Sequence, residues 1–156
     1  MDLSTQRLTV WEGERVAKQY LVSTGANGIG EIQGSGCTPR GRHRVRAKIG
    51  AGAPAGTVFR GRRVARELPL CTAEALAAFP DRDWITSRIL WLSGLEPGRN
   101  RLGCVDSMRR YIYIHGTPHR AELGRPASHG CIRMADADVI ELFDLVPLGT
   151  QVDLHE

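Results

Sequence analysis

Between residues 114 and 134 the chain reads IHGTPHRAELGRPASHGCIRM, with three histidines, one cysteine and five residues of glycine or proline. A buried structural cysteine needs no such company, because a free cysteine packs as a small hydrophobe. A nucleophile does need it. A thiol is mostly protonated at neutral pH, so a reactive one requires a base or a positive environment. For Cys131 the candidate bases are His115 and His129, and Arg133 adds positive charge. Gly130 removes a side chain beside the sulfur, so backbone N–H groups can approach a reacting carbonyl as an oxyanion hole demands. The chemistry in view is attack of a thiol on a carbonyl.

Other uses of these residue types fit less well. His115 and His119 are four apart, but Gly116 and Pro118 between them oppose the helix that would align them on a metal. No HExxH or CxxC is present, so neither a metal nor another cofactor is expected. His43 and His155 read as surface or strand residues. Arg42, Arg44 and Arg46 form a stripe on one strand face without interleaved aromatics, which argues for solvent rather than nucleic acid opposite them. GANGIG would cradle a phosphate only if a helix followed it, and none is indicated.

The elements that must position Cys131 are mostly short strands. Residues 7 to 11 and 16 to 22 flank EGER as a hairpin, and the glycine-dense segment 23 to 41 reads as a long loop. RHRVRAKI alternates with period two, with His43, Val45, Ala47 and Ile49 on the face opposite the basic residues. TVFRGRRVARE reads as one further strand, as do ITSRILWLSG and RYIYIHG. TAEALAAF reads as a short helix capped by Thr72 and stopped by Pro80. ADADVIELFDLVP places Val139, Leu142, Phe143 and Val146 on one helical stripe, and TQVDL closes the chain as a strand. The expectation is a mainly β fold, a mixed β-sandwich or open barrel with one firm helix directly after Cys131. At 156 residues, without repeats or a Ser/Pro-rich linker, a single monomeric domain over residues 1–156 is expected.

The net charge of +4 favours acidic partners, among them an anionic cell-wall polymer. No apolar run reaches the ~20 residues needed to span a bilayer. The first residues lack the basic and apolar regions of an export signal, which points to the cytoplasm if the chain is complete. Cys37, Cys71, Cys104 and Cys131 are widely spaced, and with Cys131 set aside the remainder cannot all pair, so free thiols are expected.

Three blocks in order, VSTGANGIG…CTPRGRHRV, YIYIHGTP and SHGCIRM, resemble the YkuD-type L,D-transpeptidase catalytic domain. The opening DLSTQRLTVWEGERVAKQYLVSTG is similar to that domain's start, whereas residues 71 to 104 fit its pattern loosely. The resemblance implies a cysteine acyltransferase working on peptidoglycan stem peptides in the cell envelope. Cys131 would be the nucleophile, His115 the general base, and the Gly116 carbonyl the group that orients the imidazole. Ser128, His129 and Gly130 would position substrate or serve the oxyanion, with the N–H groups of Gly130 and Cys131 as its donors. Arg133 would pair with a stem-peptide carboxylate. An amine acceptor gives transpeptidation and water gives hydrolysis. A wall-binding module without catalysis is the alternative from another class, and the intact His-Gly and Ser-His-Gly-Cys argue against it.

Overall fold

The computed structural model describes residues 1–156 as nine strands, two α-helices and two 3₁₀ turns. The first strands, β1 (Arg7–Glu12) and β2 (Arg15–Leu21), form the expected antiparallel hairpin, turning at Gly13 with φ +61°. A five-stranded sheet follows, built from β3 (Gly41–Ile49), β6 (Thr86–Gly94), β7 (Tyr113–Thr117), β8 (Ile132–Ala135) and β9 (Gln151–Leu154). Its order is β8-β7-β6-β3-β9, and every pair is antiparallel except β7 with β8. Between β3 and β6 lie a small hairpin of β4 (Phe59–Arg60) and β5 (Arg63–Val64), then α1 (Ala73–Ala78). Helix α2 (Asp136–Leu145) follows β8 without a break. The architecture is mainly β with a mixed sheet, and no helix is long and apolar enough to cross a membrane.

The two faces of the sheet do different work. One buries Val45, Leu90, Leu92, Ile114, Ile132 and Met134 against the β1–β2 hairpin and against Val139, Leu142 and Phe143 of α2. The helix stripe seen in the sequence is thus the face that meets the sheet. The other face carries Ile89 and Tyr113 under Phe59, with Ile49, Trp91 and Cys131 packed against them. A third cluster of Val58, Ala65, Ala75 and Trp84 anchors the β4–β5 and α1 region.

Several expectations change. In β3 the register slips between Val45 and Ala47. A bulge exchanges the faces beyond it. Val45 therefore joins the α2 side, while Ile49 packs with Phe59 and Ile89 on the opposite side. Lys48 swings under α2, bonding the Val146 carbonyl at 2.8 Å and lying 4.4 Å from the Phe143 ring centroid. His43 is fully buried rather than at the surface, its ring held by the Gly41 carbonyl and Ser107 Oγ, each at 2.8 Å. TVFRGRRVARE is a tight hairpin, not one strand, because Gly61 and Arg62 take φ of +56° and +66°. β7 starts at Tyr113, since Tyr111 has φ +58° and sits in a turn. Finally, α2 does not follow Cys131 directly, because the four residues of β8 intervene.

Trp84 is completely buried in the cluster that roofs the second face of the sheet. Trp84→Ala should lower unfolding free energy by about 3–5 kcal/mol. Chemical denaturation followed by far-UV circular dichroism measures the shift, and a loss near zero would mean that this cluster does not hold the fold.

Candidate active site

His115 sits in the middle of β7, and Cys131 is the residue just before β8. Because β7 and β8 run parallel in register, Ile114 faces Ile132 and His115 faces Arg133. Residues directly opposite point to the same side of a sheet, as do residues two apart on one strand. Tyr113, His115 and Arg133 therefore share the face away from the core helix, and the Cys131 sulfur lies against β7. The Tyr113 N–H points at Sγ at 3.4 Å, and Sγ is 3.3 Å from the Tyr111 carbonyl.

The imidazole of His115 is fully buried. Its Nδ1 lies 2.8 Å from the Gly116 carbonyl, which fixes Nδ1 as the donor and leaves Nε2 with its lone pair. That Nε2 is buried and has no partner. Gly116 has no room for a side chain: an added Cβ would collide with the Asp136 carboxylate and with the Thr86 carbonyl. Asp136 itself accepts from Thr86 Oγ1 at 2.6 Å and from Ser87 Oγ, tying α2 to the start of β6 behind the imidazole.

The loop that carries Cys131 is built on Ser128. Ser128 Oγ donates to the Cys131 carbonyl and accepts the Gly130 N–H at 3.1 Å. The Gly130 N–H is thus already bonded, whereas the Cys131 N–H has no partner within the chain. Gly130 has φ +116°, and a Cβ there would come to 3.0 Å from the Cys37 carbonyl. The glycine-rich segment is the cradle of this turn. Ser23 exchanges backbone bonds with Arg133, Thr24 receives the N–H of Ala127 and of Ser128, and Thr38 Oγ1 donates to the Gly130 carbonyl at 3.0 Å. Arg110 holds the cradle in place, donating to the carbonyls of Gly30, Glu31 and Cys37.

Arg133 is buried, with its side chain 5% exposed, and its fork meets carboxylates of the chain itself. Nη2 contacts Asp83 at 2.8 Å, and Nη1 contacts Glu122 at 2.7 Å and the Ala127 carbonyl at 3.3 Å. The fork expected to receive a substrate carboxylate is therefore occupied. His129 stands exposed at the rim, with Nδ1 3.7 Å from Asp83. His119 lies in the turn after β7, at the start of the 3₁₀ segment Arg120–Glu122, away from His115 along the strand.

Asp83 was invisible as a site residue in the sequence. It belongs to PDRDW, and its neighbour Trp84, an isolated large apolar residue, is the one local sign that this segment is fixed. Burial works against its charge, yet the Arg133 guanidinium bonded to it holds the Asp83 carboxyl below its usual range. Burial likewise pushes the His115 imidazole below its ordinary value, against the Gly116 carbonyl and Asp83. The Cys131 thiol is pushed up to about 12, first by burial and then by Asp83, while the Tyr113 N–H and the arginines 133 and 110 oppose the rise. The resting pair is a neutral thiol and a neutral imidazole.

The sequence model of the YkuD L,D-transpeptidase catalytic domain matches residues 1–154. The chain belongs to this family. The B. subtilis (strain 168) protein YkuD, named as an L,D-transpeptidase, is 47% identical over 47 residues, 30% of this chain and 29% of YkuD. Among solved structures, the L,D-transpeptidase from Mycobacterium smegmatis superposes with TM-score 0.56 at 19% identity, covering 99% of this chain and 56% of the other. L,D-transpeptidase 3 from Mycobacterium tuberculosis, solved in complex with a faropenem-derived adduct, gives TM-score 0.54 at 17% identity over 99% of this chain and 58% of the other. The chain thus spans well under two thirds of each of these proteins. In this family domain, the stretch first picked out by its histidines and cysteine sits at the junction of β7 and β8.

A neutral thiol dictates a pH dependence. Thiolate is the reactive species, so a raised pKa keeps reactivity climbing until pH passes it. With Cys37, Cys71 and Cys104 replaced by serine, alkylation of Cys131 by iodoacetamide should rise about tenfold per pH unit from 7 to at least 10. Peptide mass spectrometry gives the rate, and a plateau at neutral pH would mean that a thiolate–imidazolium pair is already formed.

Proposed function

We propose that the chain is a cysteine-dependent L,D-transpeptidase acting on peptidoglycan stem peptides through an acyl-enzyme thioester. The observation that carries this reading is His115, whose Nδ1 is bound to the Gly116 carbonyl and whose buried Nε2 has no partner. An acceptor enclosed without a donor costs free energy, and we assign it the Cys131 thiol, which at rest faces the Tyr111 carbonyl at 3.3 Å. Membership of the family supports the same chemistry. The cell envelope as the place of this reaction is a reading that rests on the family, and the net charge of +4 suits an anionic wall polymer.

The proposed steps join this geometry to the donor that the family resemblance implies, a tetrapeptide stem. His115 Nε2 takes the proton of Cys131 as the sulfur attacks the carbonyl carbon joining the third and fourth stem residues. A C–S bond forms, and the carbonyl oxygen becomes an oxyanion to which the unpartnered Cys131 N–H can donate. Ser128 and Gly130 hold the turn that aims this N–H, and His129 lines the rim where the peptide enters. Collapse breaks the C–N bond, and His115 returns the proton to the departing amine, which leaves as D-alanine. An amine acceptor then attacks the thioester with His115 again as base, and the thiol is restored. Water in place of the amine makes the same steps a hydrolysis.

Incubation with a tetrapeptide muropeptide should add the acyl fragment to Cys131 and release D-alanine, read by intact-protein mass spectrometry. Cys131→Ala should abolish the adduct. His115→Ala should slow acylation by about 10²–10⁴-fold, the worth of a general base, and His129→Ala by less. Faropenem labelling that persists in Cys131→Ala overturns the nucleophile, and a greater loss in His129→Ala exchanges the roles of the two histidines.

A further inference from the structure

The donor just described ends in a free carboxylate, one residue beyond the bond that breaks. Consecutive Cα atoms are ~3.8 Å apart, so this charge must lie close to the sulfur when the peptide is bound. Three arginines stand around the nucleophile, and two are engaged. Arg133 is buried between Asp83 and Glu122. Arg110 spends its donors on the carbonyls of Gly30, Glu31 and Cys37 and on Ser35 Oγ. The third is Arg62.

Arg62 reaches the site from the β4–β5 turn and lies on an aromatic floor. Its guanidinium carbon is 4.9 Å from the centroid of Tyr111 and 5.0 Å from that of Trp91, and Nη1 donates to Tyr113 Oη at 3.2 Å. The same two tyrosines flank the nucleophile through their backbones, by the Tyr111 carbonyl and the Tyr113 N–H. One tyrosine side chain therefore separates Arg62 from the sulfur. No carboxylate of the chain pairs with it, and apart from the bond to Tyr113 Oη the half-exposed guanidinium makes no hydrogen bond within the chain. The chain also accepts an unfavourable backbone to put an arginine here. With φ of +56° and +66° at Gly61 and Arg62, the turn is of the kind that favours Asn-Gly, and arginine is uncommon at positive φ. Broken local rules of this sort concentrate where a side chain is needed for something other than stability.

We propose that Arg62 receives the terminal carboxylate of the stem-peptide donor and so makes the site select peptides with a free C-terminus. This rests on the transpeptidase reading above. The contact is binding only, and leaves the bond changes at Cys131 as described.

The test compares two donors on the purified protein: a tetrapeptide ending in free D-alanine and the same peptide ending in D-alanine amide. Thioester formation at Cys131 is followed by intact mass. The wild type should acylate with the acid about 10- to 100-fold faster than with the amide, the ratio that a hydrogen bond to a charged group is worth. Arg62→Gln should bring the two rates within about twofold by slowing only the acid, and Arg62→Lys should fall between. Arg62→Gly removes the cation while relaxing the turn; it should match or exceed the wild type in denaturation midpoint and still lose the preference. A preference unchanged in Arg62→Gln and Arg62→Gly, or absent from the wild type, overturns the role of Arg62 alone. Failure of the wild type to acylate with either donor overturns the transpeptidase reading itself.

Discussion

The parallel register of β7 and β8 is the constraint on which the site depends. Parallel neighbours cannot be joined by a tight turn; the chain must leave the end of one strand and travel back to begin the next beside that strand's start. Residues 118–131 make that return, through a 3₁₀ turn and then the Ser128 turn. The crossover therefore ends where β8 begins, and its last residue is Cys131. In an antiparallel arrangement the residue before β8 would emerge beside Thr117, away from the Tyr111 carbonyl and the Tyr113 N–H that flank the sulfur. The glycine-rich segment is a consequence of the same geometry. A turn delivered to the edge of a sheet has no neighbouring strand on its outer side, so residues 23–38 supply the missing backbone partners.

Burial leaves the Cys131 thiol uncharged at rest, with Asp83 adding to the effect and Arg133 and Arg110 opposing it. Asp83 comes from the approach to β6, Glu122 from the 3₁₀ turn and Arg133 from β8, so one buried guanidinium ties three separate segments together. Such a triad adds little net stability, since desolvation offsets most of the attraction, but removal of one member strands the others. Its value here is geometric: it holds the crossover down and keeps a negative charge within electrostatic reach of both Cys131 and His115. The buried His115 imidazole keeps an open lone pair at Nε2, which suits it to the base role proposed for it.

What could be read from the sequence divides along the range of the interactions. Cys131, His115, Gly116 and Ser128 lie in one short stretch, and the turn chemistry of Ser-His-Gly-Cys is local, so their company was visible. Helix α2 and the first half of β3 obeyed simple periodicity. The pattern in β3 failed at Arg46 because a bulge is set by the partner strand and leaves no period of its own. Arg62, Asp83 and Arg110 were out of reach for a related reason. Each acts on residues about fifty or more positions away, through Tyr113, Arg133 and the 30–37 segment. Arg62 carried one readable oddity, a glycine-arginine pair inside an otherwise strand-like run, which the structure resolves as a turn. The Arg133 fork was legible as a carboxylate binder; the carboxylates it binds here are the chain's own.

The neutral resting state of Cys131 also bears on oxidation. Peroxides and disulfides react with thiolates, and a thiol raised to about 12 offers almost none. The sulfur that must survive to do chemistry is thus a poor target for sulfenic acid formation, even with a half-buried position and no resolving cysteine bonded to it. On the transpeptidase reading, the proton leaves only when an acyl donor is in place beside His115, so the proposed nucleophile is armed by its substrate rather than by its surroundings.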